Sequence, residues 1–152
     1  MSTAYIGIGS NLGNREENCK KAITILIENG VKVTKLSSIV ETEPWGVRNQ
    51  PEFINMAIKI ETGLKPYELL SLLKNIESAV GRFPGPRWGA RVIDLDILFY
   101  NDLVMKTADL EIPHPRISER EFVLKPLAEI APDKIHPVLK KSITALFNDI
   151  SG

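Results

Sequence analysis

Residues 92–100, with the sequence VIDLDILFY, decide the fold of this chain. Every second residue is apolar, so that one face of the segment carries Ile93, Leu95 and Ile97. The other face carries Asp94 and Asp96. Alternation of this kind predicts a β-strand with one buried face. Aspartate is depleted in strands, and two carboxylates about 6.5 Å apart on one face repel each other, so a positive partner is expected beside them.

Two kinds of positive partner satisfy this aspartate pair. A divalent cation is the favoured interpretation, because it prefers hard oxygen ligands and leaves positions open for phosphate. The alternative is the segment 81–91, which holds three arginines and no acid: Arg82, Arg87 and Arg91. Arginine binds phosphate through paired hydrogen bonds, so these residues in a Pro- and Gly-rich loop also favour a polyphosphate ligand. A solvated loop face would have the same composition.

Aromatic and amide side chains suggest a flat heterocycle beside the phosphates. Trp88 lies between two arginines in a Gly/Pro loop, which favours ligand contact over a place in the core. Residues 53–61 alternate as a strand, and Phe53 and Asn55 fall on the face opposite the aliphatic row. An aromatic ring stacks on a heterocycle, and an amide reads its edge with a donor and an acceptor. A sheet face covered by a helix, with one satisfied amide, is the equally compatible alternative.

Two shorter motifs carry weaker signals. His114 stands between two prolines and is followed by Arg116, so the pair is a candidate phosphate contact, with an exposed loop histidine as the alternative. Residues 7–13 read GIGSNLG. This segment misses the dinucleotide fingerprint, since Leu12 occupies the place of the third glycine, and no Gly-Lys-Ser/Thr follows. A tight strand-to-helix turn is therefore predicted there.

The predicted elements follow the order β-α-β-β-α-β. Strands are expected at 4–9, 31–42 with a break near Ser37 and Ser38, 53–61 and 92–100, and helices at 15–29 and from Pro66 onward. This order predicts the α+β class with a ferredoxin-like core. A short strand at 103–105, a third helix capped by Ser118 and Glu121, and a last helix at 142–148 add a C-terminal hairpin and helices.

Composition places the chain among ordinary globular proteins. Its 152 residues are 43% hydrophobic and 25% charged, which predicts one domain over residues 1–152. The 19 basic and 19 acidic side chains cancel, which argues against a nucleic-acid partner. The single cysteine, Cys19, is interpreted as a buried thiol in a reducing compartment. With no apolar run long enough to span a bilayer, the sequence predicts a cytoplasmic protein without a membrane partner.

Four segments together resemble the 6-hydroxymethyl-7,8-dihydropterin pyrophosphokinase family, also called 2-amino-4-hydroxy-6-hydroxymethyldihydropteridine diphosphokinases. They are YIGIGSNLGN at 5–14, ETEPWG with QPEFIN within 41–55, RWGARVIDLDIL at 87–98, and IPHPR with REFVLKPLAEIAP within 112–132. The resemblance covers nearly the whole chain. The D-L-D segment with its upstream arginine is the family's signature when the other segments accompany it.

The resemblance implies an ATP-dependent pyrophosphokinase, a diphosphotransferase of folate biosynthesis. ATP and the pterin alcohol would give AMP and the pterin pyrophosphate, and the product would pass to dihydropteroate synthase. Asp94 and Asp96 match the ligands of two Mg2+ ions that bridge the ATP phosphates. A monomer is expected.

The resemblance also implies roles for individual positions. The positions expected to line the pterin pocket are Thr42, Glu43, Trp45, Phe53, Asn55 and Phe122. The positions expected around ATP are Glu77, Trp88, Arg91, Ile97, His114, Arg116 and Arg120. The residues expected to carry catalysis are Arg82, Arg91, Asp94 and Asp96.

Two other functions stay open on the sequence. One is a different metal-dependent phosphotransferase with the same aspartate pair, which its products would reveal. The other is a non-enzymatic ferredoxin-like binding module, for instance for RNA. Such a module needs a basic sheet face with exposed aromatic side chains, whereas Asp94 and Asp96 repel phosphate unless a metal is bound.

Overall fold

A computed structural model describes residues 1–42, 53–81 and 92–151, and only the backbone of Thr42. The elements are, in chain order, β1 (Ser2–Ser10), α1 (Arg15–Glu28), β2 (Lys32–Leu36), β3 (Val40–Thr42), β4 (Phe53–Thr62), α2 (Pro66–Val80), β5 (Asp94–Tyr100), β6 (Met105–Lys106), β7 (Glu111–Ile112), a 3-10 turn (Ile117–Glu119), α3 (Glu121–Ile130) and α4 (Ile143–Ser151). The chain is thus a mixture of helices and antiparallel strands, as the sequence predicts at the level of fold class.

One antiparallel sheet organises the described residues. Its strands lie in the order β2-β4-β1-β5, and β3 pairs with β4 beyond the end of β2. The expected break in the second strand is confirmed, because β2 ends at Leu36 and β3 begins at Val40. The break lets two short strands share one edge of β4.

Helices α1 and α2 cover the first face of the sheet. The Asn14 side chain accepts a hydrogen bond from the Glu17 N–H and caps α1, as predicted. Pro66 begins α2, where proline is tolerated because its missing N–H has no partner in the first turn. The buried core on this face comes from alternate strand residues and the helix stripes, including Ile6, Ile8, Leu26, Ile54, Ile58, Ile60, Leu69, Leu73, Ile76, Leu95 and Ile97.

Helices α3 and α4 cover part of the second face. Their buried residues Leu124, Leu127, Ile130, Ile143 and Leu146 pack in one cluster with Tyr5, Ala57, Leu98 and Phe99 of the sheet. None of the helices within the three described ranges combines the length and apolar character needed to cross a bilayer.

Two local predictions near the C-terminus are corrected. Ser118 does not cap α3, because it lies inside the 3-10 turn, and Arg120 precedes the helix without a side-chain cap. Buried Ile117 anchors that turn in the core, so the chain becomes helical only from Glu121. The short strand lies at Met105–Lys106, slightly later than predicted, and pairs with β7 in a separate hairpin.

Candidate active site

A cavity of about 700 Å³ opens on the second face of the sheet. Its floor comes from the end of β1 and the beginnings of β4 and β5, and its wall comes from residues 114–123. The lining residues that the sequence singled out are Phe53, Asn55, Asp94, Asp96, His114, Arg116, Arg120 and Phe122. The structure therefore brings together residues from four distant parts of the chain.

The pairing of three strands sets the layout of the floor. Gly9 is the register partner of Asn55 in β4 and of Asp94 in β5. Gly7 is the partner of Ala57 and of Asp96 in the same two strands. Directly paired residues project from the same face of a sheet. The Asn55 and Asp94 backbones are therefore about 10 Å apart, two strand spacings, with a glycine between them.

Both glycines lie inside β1, within the strand predicted at 4–9, so the predicted turn is confined to the later residues of the GIGSNLG segment. A Cβ added to Gly9 would lie 2.9 Å from Asn55 Oδ1, so any side chain at position 9 would force the Asn55 amide to shift. One added to Gly7 would lie 3.4 Å from the Leu98 side chain. The turn itself uses Gly13, whose φ is +73°. Two residues of the motif thus keep the cavity floor free of side chains.

The aspartate pair carries charge that its described surroundings leave uncompensated. Burial, together with the negative charges of Asp94 and Glu77, raises the pKa of Asp96 to about 6. Arg120 and Lys74 oppose this pKa shift without cancelling it. Among the ion pairs of the described residues, none involves Asp94 or Asp96. A cation at the pair would relieve this repulsion.

The donor set of the pair fits a hard divalent cation. Carboxylate oxygens are ligands that Mg2+ prefers, and Mg2+ often takes only one or two of them along with phosphate and water. Within the described ranges, no group of three or more His, Cys, Asp or Glu side chains forms a metal-ligand cluster. Asp94 and Asp96 therefore suit an ion that shares its remaining positions with a phosphate ligand.

Glu77 and Ile97 do not line the cavity, although both were expected around ATP. The Glu77 carboxylate accepts a hydrogen bond from the Leu95 N–H at 2.8 Å and lies 3.3 Å from Lys74 Nζ. It therefore fixes the backbone between the two aspartates. The Ile97 side chain is buried in the core on the opposite face of β5.

The wall of the cavity supplies cationic and polar groups. His114 Nδ1 accepts a hydrogen bond from the Arg116 N–H, and the His114 N–H donates to the Leu98 carbonyl of β5. Burial, followed by the nearby Arg120 charge, holds the pKa of His114 below its usual value. With Nδ1 acting as acceptor, the neutral ring carries its proton on Nε2 and is a donor.

Aromatic rings and an amide form the other part of the lining. The Arg120 guanidinium lies 5.6 Å from the centre of the Phe122 ring, and Phe53 lines the same cavity. Asn55 Nδ2 is buried and has no hydrogen-bond partner among the described residues. Buried donors are normally paired, and an unpaired one costs about 1–3 kcal/mol. A ligand with an acceptor at its edge would satisfy this group.

Several predicted site residues lie outside the described ranges: Glu43, Trp45, Arg82, Trp88 and Arg91. Thr42 ends β3, where its backbone pairs with Phe53. Sequence reasoning missed Gly7 and Gly9 as part of the floor. It also missed the lining residues Ile8, Met56, Ala57, Leu98, Glu119, Glu121 and Val123. A Gly-x-Gly pattern inside a strand was the available signal, because glycine in a strand often marks a close approach.

The fold and the cavity define an α+β ligand-binding protein, with an acidic pair and cations beside aromatic and amide groups. A family model described as 7,8-dihydro-6-hydroxymethylpterin-pyrophosphokinase (HPPK) matches residues 5–132. The chain belongs to this family.

Curated relatives agree with that assignment, and a solved structure matches the fold. The chain is 51% identical over 128 residues to 2-amino-4-hydroxy-6-hydroxymethyldihydropteridine pyrophosphokinase of Bacillus subtilis, covering 84% of this chain and 77% of the relative. The protein of the same name from Aquifex aeolicus is 43% identical over 143 residues, covering 94% and 89%. A crystal structure of Plasmodium falciparum HPPK-DHPS superposes with a TM-score of 0.78 at 17% identity. The match spans 97% of this chain but 44% of that longer one, and it shows the fold alone.

Proposed function

We propose that this protein transfers pyrophosphate from ATP to the hydroxymethyl group of 6-hydroxymethyl-7,8-dihydropterin, a step of folate synthesis. The single observation that carries the proposal is the row Asn55–Gly9–Asp94 across three paired strands. This row holds the Asn55 amide, which can hydrogen-bond to a heterocycle, two strand spacings from the Asp94 carboxylate, which can bind a cation. Family membership supplies the substrates, and the names of the relatives above support them.

Asp94 and Asp96 would hold the metal, for which the family resemblance implies two Mg2+ ions. When bound, such ions supply positive charge that neutralises the phosphates and lowers the pKa of the attacking hydroxyl. The protein's part is to present two carboxylates on one strand face, with Glu77 bonded to the backbone between them. The raised pKa of Asp96 supports this assignment, because a cation would stabilise the ionised pair.

Positioning and charge stabilisation account for the remaining chemistry. The pterin hydroxyl oxygen bonds to the β-phosphorus and gives its proton to solvent water, while the bond between that phosphorus and the α,β-bridging oxygen breaks and this oxygen leaves with AMP. Phe53 and Phe122 would hold the pterin ring, and Asn55 would bond to its edge. The Arg120 guanidinium and the His114 Nε2–H group would donate to the phosphates. Holding both reactants on one rigid sheet converts a bimolecular step into a nearly unimolecular one.

Product analysis tests this function directly. The protein is mixed with ATP, Mg2+ and the pterin alcohol, and the nucleotides and pterins are separated by chromatography. We expect AMP and pterin pyrophosphate in equal amounts, with neither formed by an Asp96→Asn variant. ADP or free phosphate would instead support another phosphotransferase or a hydrolase. RNA binding without any turnover would support the binding module.

Replacement of Arg120 by methionine is expected to raise the KM for ATP. Methionine keeps much of the apolar contact with Phe122 but removes the charge, and a charge-assisted hydrogen bond is worth about 1.5–3 kcal/mol, or roughly ten- to hundredfold. Arg116→Met is the matched variant, since Arg116 is more exposed and lies 3.5 Å from Glu119. Its effect should be smaller. Equal effects of the two changes on steady-state kinetics would contradict a special role for Arg120.

Gly9→Ala is expected to weaken pterin binding much more than Gly7→Ala does. The new methyl group at position 9 must displace the Asn55 amide, whereas the one at position 7 meets a flexible Leu98 side chain at a tolerable distance. Loss of one or two hydrogen bonds to the pterin would raise its KM about tenfold or more. Fluorescence titration with the pterin alcohol measures both variants. Similar affinities would show that Asn55 is not held by this contact.

We also propose that the core is the ferredoxin-like split motif. The strand order β2-β4-β1-β5, with α1 and α2 on one face, supports it. The solved relative that joins HPPK and DHPS in one chain supports the expected passage of the product to dihydropteroate synthase. The monomeric state, the cytoplasmic location and the single domain over residues 1–152 stay predictions.

A further inference from the structure

The GIGSNLG segment contains a polar contact that the proposed chemistry does not use. Ser10, the last residue of β1, is fully buried on the first face of the sheet, which α1 and α2 cover. Its hydroxyl donates a hydrogen bond to the Val92 carbonyl. Asn18 of α1 is also buried, and its Nδ2 group donates to the Leu12 carbonyl at 2.9 Å and approaches the Val92 carbonyl at 3.3 Å. Two side chains from the first strand and helix therefore converge on one backbone oxygen.

Val92 occupies a special place in the chain. It lies two residues before Asp94, at the entry to β5. Gly81, the C-cap of α2, lies beside it, because a Cβ built on Gly81 would be 3.7 Å from Val92 Cβ. The end of α2 and the entry to β5 are therefore neighbours.

We infer that Ser10 and Asn18 are positioning residues for pyrophosphate transfer, acting through the Val92 carbonyl on Asp94. This inference rests on the proposed function. Neither side chain lines the cavity. They fix the entry of β5, so that Asp94 has a defined place opposite Gly9. Asn18 additionally ties this point to the turn at Leu12, and thereby to the start of α1.

The side chains on the pterin side of the cavity take no part in this contact, although the Ser10 backbone pairs with Ile54 of β4. Phe53 and Asn55 belong to β4, and Phe122 belongs to α3, so neither element follows Val92 directly. Loosening Val92 should therefore disturb the phosphate side alone. The expected result is a fall in kcat with little change in the KM for the pterin, since misplacement of reacting groups by a fraction of an ångström slows transfer.

The test compares Ser10→Ala, Asn18→Ala and their double variant with Thr62→Ala. Thr62 is equally buried, and its hydroxyl accepts a hydrogen bond from the Leu64 N–H, but it lies at the far end of β4. It controls for the general cost of losing a buried hydroxyl. In each single variant the Val92 carbonyl keeps one donor, so these proteins should fold.

We expect the double variant to lose kcat by on the order of ten- to hundredfold, with the KM for the pterin within about twofold of the original. The loss should exceed the product of the single effects, because only the double variant leaves the Val92 carbonyl without both donors. Thr62→Ala should leave kcat unchanged. A kcat loss no larger than that of Thr62→Ala, or a rise in pterin KM at constant kcat, would overturn the inference.

A second measurement does not depend on turnover. Amide hydrogen exchange around Ile93 and Leu95 should accelerate in the Ser10 and Asn18 variants and stay unchanged in Thr62→Ala. Equal exchange in all of them would overturn the positioning role even for an active enzyme. If the unaltered protein forms no AMP, the proposed function fails, and the exchange result still decides whether these side chains hold the start of β5.

Discussion

An Asp96→Asn variant should lose pyrophosphate transfer and at the same time gain stability when no metal is bound. Burial and the charges of Asp94 and Glu77 raise the pKa of Asp96 from 3.8 to about 6, so the ionised side chain is unfavourable in the folded protein. The folded state binds the proton more tightly than the unfolded state does. Stability therefore falls as the pH rises from about 4 to about 6, and the loss is complete at pH 7.

The expected size of this effect follows from the same pKa. A shift of about two units corresponds to roughly 3 kcal/mol at most, and screening by solvent at this partly exposed side chain reduces it to about 2–3 kcal/mol. For a chain of this length, each kcal/mol moves the melting temperature by about 2–4 °C. Asparagine keeps the shape and removes the charge. Turnover should fall at least about a thousandfold, because an amide is a poor ligand for a hard cation.

Thermal unfolding in the presence of a chelator, at pH 4 and at pH 7, measures the stability change. The variant should gain stability at pH 7 and differ little at pH 4, where the native Asp96 is protonated. Asp133→Asn is a suitable control, since Asp133 is exposed and does not line the cavity. A variant that is less stable at pH 7, or one that still forms AMP, would contradict the role given to Asp96.

Replacing Asn55 by leucine should raise the KM for the pterin about a hundredfold or more and leave ATP binding nearly unchanged. A site built to hydrogen-bond a substrate loses much of its affinity when its own polar group is removed. Stability should not fall, because Asn55 Nδ2 is buried without a partner among the described residues. The leucine side chain lacks the unpaired donor and fills a similar volume on the cavity floor.

Calorimetric titrations with each substrate separate the two expectations for Asn55→Leu. The ATP titration is the internal control, since its groups lie on β5 and on residues 114–120. Loss of both affinities would indicate that the floor has collapsed. Unchanged pterin affinity would show that the Asn55 amide does not contact the pterin.

Local pattern predicted those features that depend on neighbouring residues. The alternation within 92–100 gave both the strand and the face of Asp94 and Asp96, because side chains two apart share a face. The Asn14 cap followed from its distance to Glu17. The same alternation places Ile97 in the core, so its expected contact with ATP does not come from a cavity-lining side chain.

Features set by long-range pairing could not be predicted in this way. Glycine near the end of a strand is usually a turn signal, and nothing in residues 7–13 reveals that Gly9 will pair with Asn55 and Asp94. Likewise, Ser118 and Glu121 have the spacing of a capping box, but Ile117 is buried in the core of the second face. This burial stabilises a 3-10 turn over Ile117–Glu119 in place of a helix start at Ser118. In the Val92 contact, Ser10 is 82 positions and Asn18 is 74 positions away from Val92 along the chain. No local sequence motif spans such a separation.

The row through Gly9 has a consequence for how this site could change in evolution or design. The distance between Asn55, which would contact the heterocycle, and Asp94, which would contact the metal, is set by the hydrogen-bonded backbone. It equals two strand spacings. Side-chain substitutions around the cavity can change the affinity for either substrate, but they do not change this backbone distance. Only a change in the register of β1 would alter which residues of β4 and β5 lie opposite each other. A shift of one residue would turn every floor residue of β1 towards the core under α1 and α2.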